Sequence, residues 1–358
     1  MFRFALLLLM SLAVSSQAVA EGKIKNGKFG EYYDYGSGYE MPEQPERKPN
    51  KVTLQTYLQR YIDEKFRFLG FRVAPSSQPY QFKYNLREEK VIKEQLQNTA
   101  LLSYLLYENG KIAVDELTPD DRFGSQVDNN TALPSRSIGK SLTSYLLAHA
   151  ICSGYIESVD TKLDDWNWVK GTVYEGQTLI DLVNMRAGDQ EFAYTNRIFF
   201  PDKSDRNIRF QPLASTYKRL KNTKPSKRFY NYNDLTVNTV VNYIRFKTGY
   251  KYQEFTTNFL QNKVGIADPF YIKAVDTMRA DIDGVEGFGA TISNFSASRY
   301  DFLRIARGML EDWQNDTCEG KYLKKIFERQ MPKDRPDKRF QRDIKNANWP
   351  NHSFRNYG

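Results

Sequence analysis

Ser135-Arg-Ser-Ile-Gly-Lys140, followed by the apolar segment 141–152, is the stretch of sequence that decides the fold and the chemistry. It places the hydroxyl of Ser137 three residues before the amine of Lys140, at the point where an apolar helix is predicted to begin. Residues three apart in a helix lie one turn from each other on the same face. We therefore expect these two side chains to meet.

The helix is predicted from a stripe of residues spaced three or four positions apart: Ile138, Leu142, Tyr145, Leu146 and His149. Gly154 follows at a place that suits the left-handed residue just past a helix end. Ser137 is then expected in the first turn, where unpaired backbone N–H groups and the helix dipole favour developing negative charge. An acyl-transfer nucleophile requires that setting.

Lys140 is the candidate base for Ser137. Burial disfavours an ammonium ion, so a lysine held in a water-poor pocket can accept a proton near neutral pH. A Ser-His-Asp triad would instead need a histidine, and the chain has two. We expect His149 to be a packed core residue, and His352 lies close to the end of the sequence. The small number of histidines and the spacing of Ser137 and Lys140 therefore favour a lysine-based hydrolase over a histidine-based one.

Residues 1–20 are predicted to form a secretory signal peptide. Arg3 precedes an apolar run over 4–10, and Ala18-Val-Ala20 offers a small-x-small cleavage site. We therefore expect a periplasmic or secreted protein. The apolar run is shorter than the ~20 residues that span a bilayer, and no later segment is long enough, so we predict no membrane span.

The composition fits a folded domain and narrows the choice of partners. The 358 residues carry a net charge of +9, and 40% of them are hydrophobic. The positive charge favours an anionic envelope surface or an acidic substrate, or serves solubility alone. Nucleic acid is not expected as a partner, because basic and acidic residues are interleaved and no binding motif is present. No metal or cofactor is expected, because the histidines and cysteines are few and dispersed.

The two cysteines, Cys152 and Cys318, leave two interpretations open. They could form a disulfide in an oxidising compartment. Cys152 closely follows the apolar stripe of the predicted helix, however, and we therefore favour a buried free thiol.

We predict an N-terminal extension over residues 21–97 and a second domain over 98–358. Within the extension, residues 21–50 are rich in Gly, Tyr, Pro and charge, which is typical of an irregular or mobile arm. Residues 54–68 show helical spacing of apolar positions. The extension has no role that the sequence reveals.

The second domain is predicted to begin with strands and to continue with helices, which makes it α+β. Residues 99–116 predict two strands joined by Asn109-Gly110, a dipeptide that tolerates the positive φ angles of a tight turn. Three further helices are predicted: one from a capping box at Thr178 through Met185 with Gly188 as its stop, one over 234–247, and one from Ser298 to Leu310.

The string from Ser135 to Leu147, with Gly154-Tyr-Ile-Glu-Ser-Val-Asp-Thr-Lys-Leu-Asp-Asp-Trp166, resembles the serine β-lactamase and DD-peptidase superfamily. It is most similar to the class C β-lactamase-related serine hydrolases, whose first motif is SxxK. Later segments follow in the family's order, so the resemblance covers residues 98–325. It implies a β-lactamase/transpeptidase-like fold, with an antiparallel sheet flanked by helices and a mainly helical subdomain. It also implies that Ser137 is the nucleophile.

The family's second motif is a tyrosine followed two residues later by asparagine, and Tyr232-Asn-Asp234 is the best match. The resemblance implies that Tyr232 exchanges a proton with the serine, and a nearby lysine ammonium would favour a tyrosinate. Tyr230 competes for this role; the distance from Tyr232 to Gly249 matches the family interval better. Asp234 stands at the substrate-binding position where the family has asparagine, which makes β-lactam chemistry less expected.

The family's third motif, Lys or His followed by Thr or Ser and Gly, has two candidates. Lys247-Thr-Gly249 comes too soon after Tyr232, and we interpret it as a helix stop. His352-Ser-Phe354 is better placed in order but lacks the glycine. The closing C-terminal strands of the family fold are also expected to be missing. The sequence is then either a fragment of an active enzyme or a degenerate relative.

Two functions follow. The first is an exported serine hydrolase that cleaves an amide or ester through an acyl-enzyme on Ser137, with Lys140 and Tyr232 in proton transfer. Its substrate would be a small or peptide-like molecule, which could derive from the cell wall. We expect an esterase, an amidase or a DD-peptidase-like enzyme ahead of a β-lactamase. The alternative is a catalytically degenerate relative that binds the envelope or peptidoglycan.

Overall fold

The structure is a computed structural model of the chain. It describes residues 23–27, 30–34, 70–99, 101–120, 127–194, 197–207, 213–273, 279–282, 285–288, 294–329, 331–332 and 354–355. The predicted signal peptide over 1–20 and the predicted helix over 54–68 lie outside these residues. No helix in the described part of the chain is long and apolar enough to cross a membrane.

A four-stranded antiparallel sheet supports the region of the SxxK segment. Its strands run in the order β3-β10-β13-β6 and comprise Gly70–Val73, Phe270–Lys273, Phe295–Ala297 and Leu133–Pro134. The edge strand β3 pairs with β10, from Val73 opposite Phe270 to Gly70 opposite Lys273. This part of the predicted N-terminal extension therefore shares a sheet with the predicted hydrolase domain.

The hairpin predicted over 99–116 is present as β4, Ser103–Glu108, and β5, Lys111–Leu117. Asn109 and Gly110 form its turn with φ angles of 50° and 75°. Both residues are in the left-handed region, which an Asn-Gly pair adopts more readily than other residue pairs.

The remaining strands form small antiparallel units. Within the predicted irregular arm, Lys23–Gly27 (β1) pairs in antiparallel fashion with Gly30–Asp34 (β2). The other units are β7-β8-β9 (Ala193–Tyr194, Arg197–Phe199, Asp205–Asn207), β11-β12 (Arg279–Ile282, Val285–Phe288) and β14-β15 (Met331–Pro332, Phe354–Arg355).

Eight α-helices fall within the described residues: α1 Lys90–Asn98, α2 Gly139–Cys152, α3 Leu179–Val183, α4 Leu213–Arg219, α5 Asp234–Lys247, α6 Tyr252–Asn258, α7 Arg299–Gln314 and α8 Cys318–Glu328. A π-helical segment, Phe259–Val264, continues α6. The predicted helix starts hold, because Thr178 and Ser298 each accept a hydrogen bond from the backbone N–H three residues on.

Helix α2 runs through the core and packs against α5 and α8. Its predicted stripe is buried at Leu142, Tyr145 and Leu146, but Ile138 is 60% exposed. The prediction was wrong for Ile138 because the α-helix begins only at Gly139. Ile138 lies on the preceding turn, where the helical spacing does not yet apply.

Cys152 and Cys318 form a disulfide, so the preferred prediction of a free thiol was wrong. The bond joins the last residue of α2 to the first residue of α8. This proximity depends on the packing of two helices that are 166 residues apart in sequence, which no local pattern reveals.

His149 packs as predicted between two rings, with centroid distances of 5.3 Å to Phe255 and 4.9 Å to Phe259. Its side chain is nevertheless 25% exposed, and its Nδ1 lies 3.0 Å from Glu319 Oε1. Lys263 Nζ lies 3.6 Å from the other Glu319 oxygen. The hydrogen bond with His149 is the main cause that lowers the pKa of the Glu319 carboxyl. This contact holds the end of α2 against α8.

We predict that Glu319→Gln lowers the free energy of unfolding at pH 7 by about 1–3 kcal/mol, because a hydrogen bond to a charged group is lost. Since the folded pKa is lowered, the wild-type advantage is complete above about pH 4.3 and is lost as the pH falls through the folded pKa. Urea unfolding at pH 7 and pH 3 measures both values. Glu328→Gln, an exposed change in the same helix, is the control. Equal losses at both pH values would contradict the prediction.

Candidate active site

The sheet fixes the chain just before the predicted nucleophile. Ser135 is 2% exposed and follows β6 directly. Its backbone N–H donates to the Phe295 carbonyl at 2.7 Å, and its Oγ accepts from the Phe295 N–H at 2.9 Å. Two hydrogen bonds to β13 therefore hold the residue from which the SxxK segment leaves the sheet.

The next residues form a tight turn rather than the first turn of the α-helix. Arg136–Ile138 is a 3-10 turn, and Arg136 has a φ of 51°. A residue with a side chain reaches this left-handed conformation at a cost of about 1–2 kcal/mol. Ser137 follows and is exposed, just ahead of the amino end of α2. The turn thus presents the hydroxyl outward while the helix behind it stays in the core.

Lys140 is buried in the first turn of α2, with 7% exposure. Its Nζ lies 3.3 Å from Ser137 Oγ and donates to it. The structure therefore brings together the hydroxyl and the amine that the sequence placed three residues apart.

Tyr232 contacts the same hydroxyl. Its Oη donates to Ser137 Oγ at 2.5 Å, and Lys140 Nζ lies 4.7 Å from the centre of its ring. Tyr230, the competing candidate, is 3% exposed and packs in the hydrophobic core. The geometry therefore favours Tyr232 over Tyr230 as the partner of Ser137.

Asp234 lies beside Lys140, with Oδ1 3.2 Å from Lys140 Nζ. Both side chains are 9% exposed, so the ion pair is buried. Asp234 is the first residue of α5, where the helix dipole favours a carboxylate. The sequence suggested a substrate-binding role for this position. In the structure its carboxylate pairs with the lysine instead, and the substrate-binding role stays a prediction.

The start of α5 is set by Asn233, whose side chain accepts from the Thr236 N–H at 2.9 Å. Its backbone is extended, with φ −153° and ψ 160°. The amino ends of α2 and α5 thus meet, and each supplies its first turn to the site. The two positive dipole ends make this a favourable place for developing negative charge.

A buried carboxylate that was not predicted, Asp189, binds both neighbours of Tyr232. Asn231 Nδ2 donates to Asp189 Oδ1 at 2.8 Å, and Asn233 Nδ2 lies 3.2 Å from Oδ2. The alternation Asn-Tyr-Asn was the available signal, because residues two apart in extended backbone point to the same side. Amides at 231 and 233 therefore share one side, and Tyr232 takes the other.

The third-motif candidates do not join this site in the described residues. Lys247 ends α5 and its Nζ donates to Asp165 Oδ2 at 2.9 Å. Gly249 follows with a φ of 62°, as expected for a helix stop. His352 and Ser353 lie outside the described residues.

The chemical groups around Ser137 are a hydroxyl, an ammonium, a phenol and a carboxylate. This set suits proton transfer to and from a nucleophilic oxygen. Among the residues that the structure describes, no group of three or more His, Cys, Asp or Glu side chains could hold a metal ion.

No protein-family model matches the sequence, and no curated protein matches it. Solved structures do. A protein described as a 6-aminohexanoate-dimer hydrolase from Bacillus anthracis is similar over 84% of this chain and 79% of its own, with a TM-score of 0.52 and 17% identity. A β-lactamase/D-alanine carboxypeptidase from Pseudomonas syringae is similar over 76% and 69%, with a TM-score of 0.39 and 14% identity. A class C β-lactamase from Rhodobacter sphaeroides is similar over 75% and 68%, again with 0.39 and 14%.

The likeness to the first of these structures shows the fold. The chain has an α+β fold of the β-lactamase/transpeptidase-like type, with antiparallel sheets and helices. The fold expected from the SxxK segment is thereby confirmed. At 17% identity, the likeness leaves the activity of this chain to be argued from its own site.

Proposed function

We propose that the protein is a serine hydrolase that cleaves an amide or ester through an acyl-enzyme on Ser137. The observation that carries the proposal is that Ser137 Oγ is within hydrogen-bond distance of both Tyr232 Oη, at 2.5 Å, and Lys140 Nζ, at 3.3 Å. Acyl transfer requires a nucleophile in contact with a group that takes its proton, and Lys140 places a cation beside that group.

Tyr232 is the proposed proton acceptor because its oxygen is nearest to the nucleophile. In the resting state it donates to Ser137. In the reactive state the phenol has first given its proton to solvent, so that the hydrogen bond from Ser137 reverses and the serine proton moves to Tyr232 Oη as Oγ attacks the carbonyl carbon. The ammonium of Lys140 compensates the phenolate charge, and Asp234 in turn balances the ammonium.

The remaining steps return the proton and regenerate the serine. The tetrahedral intermediate collapses as Tyr232 gives its proton to the leaving amine or alcohol, and the acyl group stays on Ser137 Oγ. Water then attacks the acyl carbon, with Tyr232 taking its proton, and the acid departs as the proton returns to Ser137. The backbone N–H of Ser137 is a proposed donor to the oxyanion, and one such donor is typically worth ~10²- to 10³-fold in rate.

The substrate class follows from the second motif and from where the protein is proposed to act. The aspartate at 234 is paired with Lys140 and differs from the family asparagine, so we propose esterase, amidase or DD-peptidase-like activity ahead of β-lactamase activity. Export to the periplasm or medium is supported by the signal-like residues 1–20 and by the disulfide between Cys152 and Cys318, since disulfides persist in oxidising compartments. A small or peptide-like molecule from the cell wall would be present there.

We predict that a fluorophosphonate probe labels the purified protein at Ser137, because the activated oxygen displaces fluoride from phosphorus and the resulting phosphonate ester is stable. Peptide mass spectrometry locates the adduct. Ser137→Ala abolishes labelling, and Ser141→Ala, a neighbouring serine on α2, keeps it. Labelling that persists in Ser137→Ala would refute the assignment. An unlabelled wild type that also hydrolyses no ester or D-amino-acid substrate would favour the envelope-binding alternative.

We predict that Tyr232→Phe lowers the turnover of an ester substrate by about 10²- to 10⁴-fold, because the group that accepts the serine proton is removed. Tyr230→Phe is the matched control, since it removes a hydroxyl from the same segment but from a core ring. It leaves turnover close to that of the wild type. Stopped-flow or steady-state assays at saturating substrate measure both. Equal effects of the two changes would contradict the role given to Tyr232.

A further inference from the structure

Asp189 lies beneath the segment that carries Tyr232 and is 0% exposed. It has no contact with Ser137 or Lys140 among the described hydrogen bonds and ion pairs. Its carboxylate accepts from three side chains of two separate segments: Tyr174 Oη at 2.6 Å, Asn231 Nδ2 at 2.8 Å, and Asn233 Nδ2 at 3.2 and 3.3 Å. Two of these donors are the residues on either side of Tyr232.

The two asparagines are themselves fixed by further bonds. Asn231 Nδ2 also donates to the Ala193 carbonyl at 2.9 Å, and the Asn231 backbone N–H donates to the Met185 carbonyl at 2.8 Å. Asn233 Nδ2 donates to the Asn231 carbonyl at 2.9 Å. The carboxylate of Asp189 therefore closes a network that surrounds the backbone of Tyr232.

This arrangement has a directional consequence. Because the backbone at Asn233 is extended, side chains at 231 and 233 lie on one side and the side chain at 232 lies on the other. Fastening both amides to one carboxylate leaves Tyr232 facing Ser137, where its Oη lies 2.5 Å from Oγ. A rotation of this segment would move that oxygen out of hydrogen-bond distance.

Burying this carboxylate in the core also costs desolvation free energy. Burial raises the pKa of Asp189, and the three donors oppose that rise. Burial and hydrogen bonds, and no cation of the described residues, are the causes that act on this pKa. An apolar side chain would fill the same space without a desolvation penalty. Two acceptor oxygens, however, can bind several donors at once in a fixed geometry, which an apolar group cannot do.

We propose that Asp189 is a positioning residue for the reaction: it holds Tyr232 Oη on Ser137 Oγ through Asn231 and Asn233. The inference rests on the proposed function, in which Tyr232 transfers the serine proton. The inference goes beyond the proposed function, because Asp189 touches neither substrate nor the reacting atoms and acts only through the residues beside Tyr232.

The test compares Asp189→Asn with Tyr174→Phe. The first change puts an NH₂ group against the amide donors of residues 231 and 233, so at least one bond to the Tyr232 segment is lost. The second removes one hydrogen bond from the same carboxylate without touching that segment. We expect Asp189→Asn to lower kcat by about 10-fold or more with KM changed less than about 3-fold. Tyr174→Phe lowers the melting temperature but keeps kcat near that of the wild type.

A second measurement does not depend on activity. Hydrogen–deuterium exchange of the peptide spanning 230–236 is expected to speed up in Asp189→Asn and to stay near the wild-type rate in Tyr174→Phe. If wild-type Ser137 takes no probe, the proposed function fails, and the exchange result still decides whether Asp189 holds the segment. If Asp189→Asn does not fold, Asn231→Ala removes one of the two side-chain amides that bind Asp189. This variant is expected to show a smaller loss of kcat.

Three outcomes would overturn the inference. Asp189→Asn could fold and keep wild-type kcat. The two variants could lose kcat in proportion to their loss of stability, which is what a merely structural role predicts. Exchange over 230–236 could be unchanged in Asp189→Asn.

Discussion

The buried ion pair between Lys140 and Asp234 is the interaction on which the site depends. It joins the first turn of α2 to the first residue of α5, and both side chains are 9% exposed. Removing one partner of such a pair leaves a buried charge without compensation, which costs about 3–5 kcal/mol. The pair therefore fixes how the two helix starts meet, and with them the hydroxyl of Ser137 and the phenol of Tyr232.

Three further restraints act on the helices that carry this ion pair. Ser135 is bonded to β13 ahead of α2, Asp189 binds the segment ahead of α5, and the disulfide with the His149–Glu319 contact holds the far end of α2 against α8. Each restraint acts on backbone or on a neighbouring side chain rather than on the reacting groups. Ser137 itself stays exposed.

The sequence predicted the parts of this arrangement that depend on local spacing. Ser137 and Lys140 meet as predicted, although Ser137 lies on the 3-10 turn ahead of α2 and not in its first turn. The caps at Thr178 and Ser298 follow from local hydrogen bonding. Local sequence patterns did not predict the contacts between distant segments. These are the disulfide of Cys152 with Cys318 and the hydrogen bonds of Asp189 with the asparagines beside Tyr232. Asp234 was identified as part of the second motif, but its ion pair with Lys140 was not predicted.

A double-mutant cycle on Lys140 and Asp234 tests the central claim most directly. The free energies of unfolding of the wild type, Lys140→Met, Asp234→Asn and the double variant are measured in urea at pH 7. We expect each single change to be destabilising and the double variant to lose less than their sum, with a coupling free energy of about 1–3 kcal/mol. Losses that add to within about 0.5 kcal/mol would contradict the account, because the two side chains would then not depend on each other.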